Sequence, residues 1–184
     1  MVISFKHIFL LSLVSATLLF GSRETVSAQI LADDFSNSDL TSNPEWAGNL
    51  ADFTVNASNQ LQMNSALAGQ SYISSAYSET DMGTKEWSFW IKQSFAGSDN
   101  NQSRFYIASN GPILNYSGNG SSGNLGYFLR FGEGGSADAI KLFRDDGAGN
   151  PIEILSGSSS FIAASFAIRV KITRDNSGLW LSLI

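Results

Sequence analysis

The chain has 184 residues, with 11 Lys/Arg against 16 Asp/Glu and a net charge of −5. That length suits one domain with a full hydrophobic core, and the acidic balance gives no support to a nucleic-acid role. Cysteine is absent and histidine occurs once, at His7, which leaves carboxylates, hydroxyls, Lys/Arg, Tyr and oxygen-ligated cations as the available chemistry.

The N-terminus reads as an export signal. Lys6 and His7 precede an apolar run over residues 8–20, and the segment closes on Val26-Ser27-Ala28, which predicts cleavage before Gln29. The run is shorter than a bilayer span, so no membrane span is expected after cleavage, and no cysteine follows it to carry a lipid. The expected organisation is a signal peptide over 1–28 and one domain over 29–184. Cleavage removes His7, so a Ser-His-Asp triad, a Cys-His pair and histidine-ligated metals are excluded from the mature domain.

From Gln29 onward apolar residues alternate at period two, broken every eight to fifteen residues by Gly, Asn, Asp and Ser clusters, which predicts an all-β fold. Short strands are expected over 30–35, 52–55, 60–63 and 71–77. The clearest strand follows over 86–95, where Trp87, Phe89, Ile91 and Phe95 share the inward face and Glu86, Ser88, Trp90, Lys92 and Ser94 the outward one. Residues 104–108 place Phe105 and Ile107 inward. Residues 125–131 do the same with Leu125, Tyr127, Leu129 and Phe131.

The turn FGEGGSAD comes next. A phosphate loop would need a helix after it, but the following DAIKLFR again alternates, so the turn reads as the bend of a hairpin, with Gly132, Gly134 and Gly135 supplying backbone freedom. Strands over 139–143, 151–155, 166–173 and 179–184 complete about eleven, with Ile140, Leu142, Phe166, Ile168, Val170 and Ile172 inward. No amphipathic helix is found. The expected fold is a two-sheet antiparallel β-sandwich. Because the chain stops on an apolar strand, its C-terminal edge is expected to be incomplete.

The outward positions carry an unusual set. Six of the nine basic residues of 29–184 fall there, at Lys92, Arg104, Arg130, Lys141, Arg169 and Lys171, interleaved with Trp90, Tyr106, Phe128 and Phe143. Rings stack on the apolar faces of pyranoses while Lys and Arg hydrogen-bond hydroxyls, carboxylates or sulfates, so Trp90, Lys92, Arg104, Tyr106, Phe128, Arg130, Lys141 and Phe143 are the candidate ligand-binding residues. The competing reading is that outward Lys and Arg protect strand edges while the aromatics fill cross-strand pairs. Which of them share a sheet is open at this point.

The succession ADDFSNSDLTSNPEWAGNLADFTVNASNQLQMN, EWSFWIKQSF, GYFLRFGEGGSADAIKLFRDDG and SFAIRVKITRDNSGLWLSLI resembles a laminin-G-like, concanavalin A-like jelly-roll module of the kind found at the N-terminus of exported multidomain proteins of gliding bacteria. The resemblance implies a secreted or cell-surface address, further domains in the same polypeptide, and glycan binding or adhesion without catalysis. It also suggests a structural calcium, with Asp33 and Asp34 as N-terminal ligands, although the terminal aspartate that completes such sites has no counterpart here.

The same fold hosts glycoside hydrolases, but the nearest carboxylate series, Glu79, Asp81 and Glu86, has the wrong parity for one cleft and is interrupted by Gly83. The oxygen-rich turns 99–101 and 145–150 offer two or three ligands each, fewer than calcium needs, and read as Asx turns. Two further roles remain open beside glycan binding: an accessory domain of a secreted polysaccharide hydrolase or lyase, and a structural spacer.

Overall fold

The computed structural model describes residues 31–78, 83–112, 123–135, 137–148 and 150–183, with the side chains of 182 and 183 excepted. Eleven strands alternate along the described chain: β1 Trp46–Gly48, β2 Phe53–Val55, β3 Leu61–Met63, β4 Ile73–Ser75, β5 Lys85–Gln93, β6 Ser103–Ser109, β7 Leu125–Phe131, β8 Lys141–Asp146, β9 Ile152–Ser156, β10 Phe166–Arg174 and β11 Trp180–Leu183. All pairings are antiparallel. They form a four-stranded sheet in the order β6-β7-β8-β9, a three-stranded sheet β11-β10-β5, and two small ribbons, β1-β4 and β2-β3.

The two larger sheets stack as a β-sandwich because period-two alternation gives each an apolar face. Ile107, Leu129, Phe131 and Leu142 from the four-stranded sheet meet Val170 and Ile172 from β10, with Trp87, Phe89, Ile91, Phe105, Tyr127, Leu155, Phe166, Ile168 and Trp180 packed around them. Aromatic contacts cross between the sheets: Phe89 stacks on Phe105, Phe131 on Phe166, and Tyr127 lies against Trp180. Such pairs add about 0.5–1.5 kcal/mol each beyond the area they bury.

Several local expectations are corrected. Residues 31–35 form no strand, because the amide of Phe35 donates to Asp33 Oδ1 and that of Ser36 to Asp34 Oδ1, bending the backbone to φ +55° at Phe35. Strand β1 was not expected. Phe95 and Leu125, read as inward, are exposed: β5 ends at Gln93, and Leu125 opens β7 at the sheet margin. Glu79, Asp81 and the loop around Asn115 lie outside the described residues.

FGEGGSAD is the β7–β8 hairpin connection. It is held against the loop that follows β5. The amide of Gly134 donates to Asp99 Oδ1 at 2.8 Å, and Gly132, at φ +107°, presses its Cα toward Gly97. A Cβ on Gly97 would overlap the Gly132 backbone. Gly97→Ala is therefore expected to lower stability by about 1–3 kcal/mol in urea denaturation, since neither backbone can withdraw without breaking the turn.

Candidate functional site

The eight candidate ligand-binding residues divide between two surfaces, on opposite sides of the sandwich. Trp90 and Lys92 stand on the outer face of the three-stranded sheet, whereas Arg104, Tyr106, Phe128, Arg130, Lys141 and Phe143 stand on the outer face of the four-stranded sheet. The alternation predicted their direction correctly. Their accessibility is another matter.

On the four-stranded sheet the three rings lie side by side across neighbouring strands. Phe128 pairs with Tyr106 on one side and Phe143 on the other, with ring centroids 4.8 and 5.2 Å away, both stacked. The cations close over them. Arg104 lies 4.7 Å over the Phe128 ring and Arg130 4.7 Å over the Phe143 ring, a geometry in which each guanidinium trades hydration for the ring's negative face. Phe128 is left 1% exposed and Phe143 7%, so neither ring is available to stack on a sugar. The expectation that they offer an open aromatic platform is corrected.

The charged rim of this stack pairs through one oxygen of Glu133, while the other, Oε1, is buried with no hydrogen-bond partner among the described residues. Glu133, from the hairpin turn, takes Arg130 Nη2 at 2.9 Å and Lys141 Nζ at 2.7 Å on the same oxygen, Oε2, and Glu153 lies 3.6 Å from Lys141. Burial pushes the Glu133 carboxyl up, but the Lys141 hydrogen bond and charge, the Ala139 amide and Arg130 together hold it below the usual range. Lys141 is correspondingly raised, chiefly by its hydrogen bond to Glu133. Burial lowers Arg104 to about 10, which still leaves it charged at neutral pH. Asp145, buried beneath the rim, accepts from Tyr106 Oη at 3.3 Å and from the Gly147 amide at 3.0 Å. Glu133 and Asp145 were not among the predicted site residues; the signal that could have found Glu133 is a single acid set between Arg130 and Lys141 at a hairpin.

The three-stranded sheet differs. Its outer face presents Ser88, Trp90 and Lys92 from β5 beside Lys171, Arg169 and Ala167 from β10, with Arg169 directly opposite Trp90. Trp90 is 41% exposed, and Lys92, Arg169 and Lys171 are all exposed. Lys171 Nζ meets Glu86 at 2.7 Å, but both side chains are about half exposed, so this pair contributes on the order of 0–1 kcal/mol. Among the described residues neither Lys92 nor Arg169 has an ion-pair partner.

Beside Lys92 the sheet dips into an open depression of roughly 310 Å³, lined by Lys92, Gln93, Ser94, Ser165, Phe166 and Ala167. That size lies at the small end of ligand sites. Its wall is fixed, because Gln93 donates to the Phe95 carbonyl and accepts from Ser103. An exposed indole, flanking cations and a depression of mixed polarity make a surface on which a flat, hydroxylated ligand can lie.

The residues suggested for calcium are occupied in another way. Asp33 accepts from the Phe35 amide with Oδ1 and from the Trp46 indole with Oδ2, both at 2.7 Å, and Asp34 caps Ser36. Among the described residues no group of three or more Asp, Glu, His or Cys side chains is placed to share an ion. Asp146 accepts from the Ala148 amide two residues on, the Asx chemistry expected of its turn, whereas Asp99 accepts from the distant Gly134 amide.

Comparison with known proteins finds no family model, no curated protein and no solved structure that matches this chain.

Proposed function

We propose that this chain is a non-catalytic, exported β-sandwich module, part of a larger secreted or cell-surface protein, that binds glycan and so mediates adhesion. The observation that carries the reading is Trp90, exposed on the outer face of the three-stranded sheet with Lys92, Arg169 and Lys171 around it. An indole held by strand geometry loses little side-chain freedom on stacking against a pyranose, and the cations supply donors for ring substituents. The export signal over 1–28 and the resemblance to a laminin-G-like module support the address.

Trp90→Ala is the direct test. Loss of at least tenfold in affinity on a polysaccharide array is expected, with stability changed by less than about 1 kcal/mol because the ring makes no part of the core. Unchanged binding would reject this face. A second reading, a structural spacer, is favoured by the closed ring stack on the other sheet, which shows outward aromatics serving the fold itself. It is distinguished by the isolated protein binding no polysaccharide. The accessory-domain reading is decided by whether a hydrolase or lyase domain accompanies this module in the full-length protein.

A further inference from the structure

We propose that the face around Trp90 takes an anionic polysaccharide, one carrying carboxylate or sulfate groups along its chain, an inference that rests on the glycan reading above. The argument begins with where the cations stand. Lysine on an edge strand has a ready explanation, since it discourages pairing with another chain. That explanation covers Lys92 on β5, which is an edge of its sheet as described, but not Arg169 and Lys171, because β10 is the central strand of β11-β10-β5. Both edges of β10 are already paired.

Solubility does not explain them either. The chain is acidic overall, at −5, and gains nothing in net charge from three cations gathered on one face. Only Glu86 among the outward carboxylates of β5 and β10 opposes them, and its contact with Lys171 is solvent-exposed and exchangeable. On the other sheet, by contrast, Arg130 and Lys141 are matched by the buried Glu133, and Arg130 also lies over the Phe143 ring. The molecule thus neutralises Arg130 and Lys141 where they serve packing and leaves Lys92 and Arg169 open around Trp90.

The spacing fits a chain rather than a single small anion. Lys92 stands opposite Ala167, four residues along β10 from Lys171, which at about 3.4 Å per residue and about 4.8 Å between strands places the Cα atoms of the outer cations roughly 14–15 Å apart, with Arg169 and Trp90 between them. Three charges at separated points around a ring-stacking centre suit a polymer whose sugars contact the indole while their acidic substituents reach Lys92, Arg169 and Lys171. Repeated anionic groups would also be drawn to the patch at a distance, an attraction that salt screens.

The experiment uses three polymers on the purified protein: dextran as neutral probe, polygalacturonate for carboxylate and dextran sulfate for sulfate, each measured by biolayer interferometry at 50 and 500 mM NaCl. At least one anionic polymer is expected to bind tenfold or more tighter than dextran and to weaken on the order of tenfold across that salt range. The better of the two identifies the anionic group. The double variant Lys92→Gln/Arg169→Gln, checked for an unchanged melting temperature, is expected to lose at least tenfold, whereas Arg144→Gln, exposed on the other sheet, keeps full binding. Full binding by the double variant, or salt-independent binding of dextran as tight as of the anionic polymers, overturns the anionic inference and leaves the glycan reading standing. Failure of all three, together with no binding on a neutral polysaccharide array, overturns both.

Discussion

Phe128→Ala is expected to lower the stability of the domain by about 3–5 kcal/mol, as much as truncating a ring in the interior between the sheets. The residue lies on the outer face of its sheet, where an outward aromatic would ordinarily be inexpensive to remove. Here it is 1% exposed, stacked between Tyr106 and Phe143 and covered by Arg104. Truncation leaves a cavity that Tyr106 and Phe143, held on adjacent strands, cannot close without leaving their own ladder positions. It also strips Arg104 of its ring, so a largely buried guanidinium loses part of what compensates its lost hydration. Urea denaturation monitored by near-UV circular dichroism would measure the loss, which is a large share of the roughly 5–15 kcal/mol available to such a domain. Glycan binding measured well below the melting temperature should be unchanged, because Trp90 lies on the opposite sheet. A stability loss below about 1 kcal/mol accompanied by lost binding would show that the ring is reached by ligand after all.

The second large effect falls on Glu133. Its Oε2 alone accepts from both Arg130 and Lys141, whose side chains keep only 15% and 19% of their exposure, so Glu133→Gln leaves two poorly hydrated cations facing each other across the strand pair. The expected loss at pH 7 is about 2 kcal/mol, below the full cost of breaking a deeply buried pair because both cations retain some water. The pH dependence has a defined sign. A carboxyl held below its unfolded value of about 4.3 contributes stability that is fully present above that pH and is lost as pH falls through the folded value. Lys141, raised above about 10.4, contributes stability that is present below that pH and lost as pH rises through its raised value. The parent and Glu133→Gln curves should therefore differ most across neutral pH and converge in strong acid, once Glu133 is protonated in both states. A constant offset down to pH 2 would mean that the substitution acts through packing rather than charge.

Side-chain direction was legible in the sequence to a considerable depth. The alternation in EWSFWIKQSF and SFAIRVKITRDN placed Trp87, Phe89, Ile91, Ile168, Val170 and Ile172 toward the interior, where the structure has them. The β-sandwich and the hairpin at FGEGGSAD followed from the same periodicity and from glycine. Accessibility was not legible. Phe128 and Trp90 have the same local pattern, an aromatic at an outward position with a cation two residues on, yet one is sealed and the other open. What separates them is which strands become neighbours: Phe128 gains Tyr106 and Phe143 from β6 and β8, while Trp90 gains Arg169, which has no ring to add. Which strands become neighbours leaves no trace in a period-two pattern, and neither does Glu133 reaching out of a glycine-rich turn to neutralise two strands at once. The strand expected over 30–35 failed for a local reason, since consecutive aspartates capped their own backbone and turned it.

The middle of the four-stranded sheet, covered by side chains on both faces, has little surface on which to vary. A substitution at Arg104, Phe128, Arg130 or Phe143 is answered by neighbours already committed to one another, so this half of the molecule can drift in sequence only through coordinated changes. The outer face of β5 and β10 has no such obligation. Its residues can be exchanged one at a time with little consequence for folding, and the module can thereby acquire new ligand preferences on a scaffold that stays as it is.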